Sequence, residues 1–159
     1  MNYIAIDNGV SGALAIIQST GAIKDKIPMP TQKTHRGNEV DVIAVRHFLR
    51  NCPPEYHTVV LEEPGGSKSA RAASSMAGSF GRLHALSLLM GYKFIRITPQ
   101  KWQKEMLKCR AKDTKPAAKA LCHALWPLHN WFQTPRCTTE FDGFHDACLI
   151  GEYSRRHNL

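Results

Sequence analysis

Acidic residues are scarce in this chain, thirteen among 159, so the position of each can be weighed singly. Four of them, Asp7, Glu62, Asp142 and Asp146, stand where divalent-metal chemistry could be done. Asp7 closes the apolar run Ile-Ala-Ile-Asp, and Glu62 closes Val-Val-Leu-Glu. A carboxylate at the end of such a run is costly to desolvate unless it is paired or bound to a metal. Asp142 and Asp146 are spaced i, i+4, which places them on one helix face with Cβ atoms about 5–6 Å apart, where like charges repel. A divalent cation would compensate. Hard ions such as Mg²⁺ take carboxylate oxygens and retain several waters. Two such ions about 4 Å apart stabilise both the attacking and the leaving oxygen of a phosphodiester displacement. Each residue also has a plainer reading. Asp7-Asn8-Gly9 fits ordinary turn chemistry, Thr139 to Asp142 fits a capping box of the form Thr-x-x-Asp, and Asp146 could pair with Arg155.

The elements that must position these groups follow from pattern. Three short strands are predicted at 2–7, 13–18 and 22–28, and the short connection 8–12, with its two glycines, favours antiparallel pairing. The polar, proline-containing stretch 28–38 reads as a loop. Val42, Ile43, Val45, Phe48 and Leu49 form a helical stripe over 39–50, stopped by Pro53 and Pro54. Residues 58–62 are apolar up to Glu62 and predict a buried parallel strand. A long helix is expected over 69–90, with Gly91 as its C-terminal cap. A fifth strand at 92–97 precedes helices at 100–108, 114–125 and 141–155. The fold class expected is α/β with a mixed five-stranded sheet, three antiparallel strands then parallel ones, flanked by helices and forming one domain over 1–159.

Composition narrows the partners. A net charge of +8 suggests an anionic partner, with nucleic acid the usual one. Nine basic residues fall between Lys93 and Lys119 against Glu105 and Asp113 alone, although such a run can also be a solvated face. The cysteine count is odd, with no Cys-x-x-Cys spacing, which argues against a disulfide framework and a zinc ribbon. No apolar run reaches the roughly 18–20 residues that span a bilayer, so the expectation is a soluble protein of a reducing compartment.

The blocks Ile-Ala-Ile-Asp-Asn-Gly-Val-Ser-Gly-Ala-Leu-Ala (4–15), Val-Val-Leu-Glu (59–62), Ser-Phe-Gly-Arg (79–82), Thr-Pro-Gln-Lys-Trp (98–102) and Asp-Gly-Phe-His-Asp-Ala-Cys-Leu-Ile-Gly-Glu-Tyr (142–153) resemble, in this order, the RuvC-type Holliday junction resolvases. The likeness is to the bacteriophage and prophage branch. The resemblance implies an RNase H-like fold and a homodimer working in a bacterial or phage-infected cytoplasm. The activity implied is nicking of four-way DNA junctions with Mg²⁺, or Mn²⁺ in its place, two ions per site. It also implies that Asp7, Glu62, Asp142 and Asp146 are the catalytic metal ligands, with Glu62 rather than Glu63 in the motif position. His145 departs from the small residue usual before the last Asp; it is either an accessory to the site or a helix-face histidine.

Candidate DNA contacts are Lys68 and Arg71 in and just after the Gly65-Gly66-Ser67-Lys68 loop, where a helix start favours phosphate, together with Arg82, Lys101 and Lys104. Trp102 reads as core packing rather than a base-stacking platform, and the helix over 69–90 as the dimer face. Two other classes remain open on sequence. A non-catalytic junction-binding protein fits the basic patch, but four carboxylates facing DNA would oppose it unless a metal neutralised them. An actin-like ATPase fits Asp7-Asn8-Gly9, yet such proteins need a second domain and a second phosphate loop.

Overall fold

The computed structural model describes residues 1–35, 37–66, 69–108 and 114–159. Strands β1 (Asn2–Ile6), β2 (Ala13–Ile17) and β3 (Ile23–Pro28) form an antiparallel meander, and β4 (Thr31–Thr34) and β5 (Gly37–Val40) form a separate hairpin. Helix α1 (Val42–Leu49) leads to β6 (His57–Glu62), α2 (Ala70–Leu89) and β7 (Lys93–Ile97), followed by α3 (Pro99–Leu107), α4 (Thr114–Leu125) and α5 (Asp142–Arg156). The main sheet has the order β3-β2-β1-β6-β7, with β1, β6 and β7 mutually parallel. This is the mixed five-stranded α/β architecture expected from the sequence.

Side-chain alternation explains why both faces of the sheet are covered. Tyr3, Ala5, Ala13, Ala15, Ile17 and Val60 face one apolar cluster, shared with residues of α3, α4 and α5. Ile4, Ile6, Leu14, Ile16, Val59 and Leu61 face the other, shared with α1 and α2. Every residue of β6 is buried, as a central parallel strand requires. The alanines on the α5 side leave room for α5 to lie close across β1 and β2.

Three boundaries differ from expectation. The polar stretch 28–38 is not simply a loop: its β-branched Thr31 and Thr34 pair in register with Val40 and Gly37 in the small hairpin. That hairpin takes residues 39 and 40 from the expected helix, which instead starts at Val42, with Asp41 capping the amides of Ile43 and Ala44. At α5 the N-cap is Phe141 and no side chain caps it, so Thr139 forms no capping box. Gly91 does sit just past α2 with a φ of +82°, the left-handed conformation a helix terminator needs.

Candidate active site

The register of the sheet brings the first two carboxylates together. Ala5 pairs with Val60 and Ile6 with Leu61 across the parallel β1–β6 ladder, so Asp7 continues opposite Glu62. By alternation both project to the face of Ala5 and Val60, the face covered by α5. Glu63 is one residue out of phase, and its amide is bound to the Ile97 carbonyl of β7. From α5, Asp146 faces Glu62 and Asp7, and Asp142 stands one turn earlier at the open edge of the helix. Asp7, Asp142 and Asp146 line one cavity of about 540 Å³ with the Gly9–Gly12 connection, Met76 of α2 and Lys115 of α4.

Two close approaches set this geometry. A Cβ on Gly12 would lie 2.1 Å from the Asp7 carbonyl oxygen, so the turn after β1 closes only with glycine there. A Cβ on Gly143 would lie 2.8 Å from the Ser11 carbonyl oxygen, and its absence lets the first turn of α5 seat on that same connection. Asn8, buried beside Asp7, fastens the connection to α2. Its amide donates to the Met76 carbonyl at 3.1 Å and its oxygen accepts the Ser79 hydroxyl at 2.7 Å.

The electrostatics are those of a crowded anionic site. Burial, then the charges of Glu62 and Asp146, hold the Asp7 carboxyl well above the usual range, and Asp7 in its acid form donates a hydrogen bond to Glu62. Burial raises Glu62 as well, against the opposing hydrogen bonds from Trp102 and Asp7. Asp146 is pushed up to about 7 by burial, with Glu62 and Asp142 adding to it. Among the described residues, the ion pair that reaches this group is Lys115 Nζ with Asp142 Oδ2 at 2.7 Å, on the exposed side. An array of clustered, half-buried oxygens short of positive charge fits hard divalent cations in donor type and in charge.

Trp102 is fully buried, as expected of a core residue, but it also has a polar task. Its indole N–H donates to Glu62 Oε1 at 2.7 Å. The Thr-Pro-Gln-Lys-Trp block held this residue in view without showing its partner, which lies forty positions away. Lys115 and Asn8 are further site neighbours that no spacing rule marked.

Of the candidate DNA contacts, Arg71 and Arg82 of α2 line a second groove of about 750 Å³ with Val10, Asn38 and Glu39. Arg82 pairs there with Glu39 at 2.9 Å. Lys101 and Lys104 are exposed on α3. Lys68 lies outside the described residues. His145 does not join the four acids. It is buried on α5 against Trp131, with ring centroids 5.0 Å apart, and faces His123 and Glu140 instead. Arg155, considered as a partner for Asp146, binds Glu152.

No protein-family profile matches the chain, and no curated protein matches it in sequence. Solved structures do. RuvC of Thermus thermophilus in complex with a Holliday junction substrate superposes with a TM-score of 0.62 at 17% identity, over 99% of this chain and 96% of that one. A second Thermus thermophilus RuvC structure gives 0.62 at 16% identity, over 99% and 97%. The fold is RuvC-like. Nearly the whole of each RuvC chain is covered, so the likeness extends over the fold rather than over a part of it.

Proposed function

We propose that this chain is a metal-dependent, structure-selective endodeoxyribonuclease of the phage and prophage branch of RuvC-type resolvases. It cuts four-way junctions and related branched DNA in the bacterial or phage-infected cytoplasm, working as a single nuclease domain in a homodimer. The observation that carries the reading is the convergence of Asp7, Glu62, Asp142 and Asp146 on one side of the sheet, with the carboxyls of Asp7, Glu62 and Asp146 held above their usual range. The RuvC-like fold supports it, since the Thermus thermophilus relative is seen on a Holliday junction.

In this reading the four carboxylates hold two Mg²⁺ ions, with Mn²⁺ as a substitute. When bound, the ions lower the pKa of a water nucleophile and offset charge on the phosphoryl oxygens. The chain's own residues do the positioning. Trp102 fixes one Glu62 oxygen and so aims the other into the site. Asp7 releases the proton it shares with Glu62 before both can act as ligands. Lys115 steadies Asp142 at the cavity mouth, where a phosphate must enter. Arg71 and Arg82 in the neighbouring groove and Lys101 and Lys104 on α3 supply positive charge for the backbone, and Lys68, close to Arg71 in sequence, would add to it. Attack in line leaves a 5′-phosphate and a 3′-hydroxyl with no covalent enzyme intermediate.

The dimer reading is supported by α2, where only Ser79, Leu83 and Ser87 are buried and Leu89 is 87% exposed. The deciding experiment incubates labelled four-way, three-way, flap and duplex DNAs with protein and Mg²⁺. Paired symmetric nicks in the four-way junction, abolished by EDTA, are expected. Binding without any cleavage would leave a junction-binding protein and refute the nuclease.

A further inference from the structure

A second group of metal-ligating side chains borders the carboxylate site, whose cavity Glu140 also lines. His123 of α4, Glu140 in the segment before α5 and His145 of α5 each present one donor atom, all within 4.8 Å of one another. His123 Nε2 is 3.0 Å from Glu140 Oε1, and His145 Nε2 is 3.1 Å from Glu140 Oε2. Mixed imidazole and carboxylate donors suit transition ions rather than Mg²⁺. Two histidines and a glutamate are a known set for zinc with an open fourth position.

The second observation is an orphaned atom. His145 is 1% exposed, and its Nε2, fully buried, makes no hydrogen bond although it points at the cluster. Its contact with Glu140 is close but lies outside hydrogen-bonding geometry. A buried ring nitrogen that makes no hydrogen bond is costly to desolvate, and a metal ion held between it and Glu140 would satisfy it. The competing cation is Lys119, 3.5 Å from Glu140 Oε2; its amino group is half exposed and free to swing into solvent. Trp131 packs on the His145 ring and restricts its rotation.

We propose that His123, Glu140 and His145 form a transition-metal site of the zinc class, distinct from the four carboxylates and completed by water. The ion ties α4 and the segment leading into α5 to α5 itself, at the residue immediately before Asp146. The site is independent of whether the carboxylates cleave DNA.

The test uses the full chain without a polyhistidine tag, stripped with chelator and titrated with Co²⁺ in excess Mg²⁺. One Co²⁺ per chain is expected, with the intense visible absorption of four- or five-coordinate cobalt, displaced by Zn²⁺. Asp7→Asn should keep the band. His123→Asn, at an exposed position that α4 tolerates, should weaken Co²⁺ binding at least tenfold, and Glu140→Gln should do the same. Zn²⁺ should raise the melting temperature of the parent but not of His123→Asn. Absence of the band in the parent, its survival in His123→Asn, or its loss in Asp7→Asn would each overturn the proposal.

Discussion

Burial and the charges of Glu62 and Asp142 place the Asp146 carboxyl at about 7 in the folded, metal-free chain, against an ordinary 3.8. The folded state therefore binds more protons than the unfolded one between these values. The associated stability is complete below 3.8 and is lost as pH rises through 7. Asp146→Asn, neutral at every pH, should stabilise the metal-free protein on the order of 2 kcal/mol at pH 8 and little at pH 4, read by denaturant melts. The same substitution should lower junction cleavage by roughly 10²-fold or more while leaving junction binding intact. Because ligands must be ionised, Mg²⁺ affinity should climb with pH and level off above 7, which calorimetry in metal-free buffer would follow. A pH-independent affinity between 5 and 8 would contradict the shared-proton site. Trp102→Phe keeps the ring packing but removes the donor to Glu62 Oε1. Cleavage at saturating DNA should drop about tenfold with KM little changed, the scale typical of a lost support to a metal ligand.

Among the elements, α5 does most to build the site, because one helix carries two of the carboxylates and covers β1 and β2. Its approach depends on the bare Cα of Gly143 against the Ser11 carbonyl. Gly143→Ala should cost about 1–3 kcal/mol of stability through overpacking. It should also cut cleavage more than a comparable loss elsewhere, since the shift moves Asp142 and Asp146 together. Parallel melts and single-turnover cleavage separate the two effects. The hairpin β4–β5 shows the opposite lesson: a polar strand pair outside the main sheet forms one wall of the groove containing Arg71 and Arg82.

At the scale of the molecule, the exposed basic residues of β7, α3 and α4 set how the chain meets a polyanion. Replacing Lys101 and Lys104 by alanine should weaken junction binding evenly across sequences. It should also reduce the slope of log K against log salt by about two, in fluorescence titrations between 50 and 200 mM. An unchanged slope would remove α3 from the DNA surface. No helix among the described residues is long and apolar enough to cross a membrane. The exposed Leu88 and Leu89 at the end of α2 are the place to test self-association. Leu89→Asp should shift sedimentation from dimer towards monomer if α2 is the dimer face.

Local physics made much of this protein legible in its sequence. Alternation and apolar runs located the five strands of the main sheet, and the acids at the ends of the first and fourth of them stood out because a charge after a buried run needs compensation. The i, i+4 pair in 142–146 needed only helical geometry. Long-range contact decided the rest. The donor to Glu62 is an indole forty residues on, and the cation on Asp142 comes from another helix, twenty-seven residues back. The hairpin at 31–40 lacks the hydrophobic alternation that a pattern can detect, so it read as loop. His145 is the neighbour of Asp146 that no local pattern explains. Adjacent positions on a helix point about 100° apart, so only the packing of α4 and the 126–141 segment could show that it turns from the four acids towards His123 and Glu140.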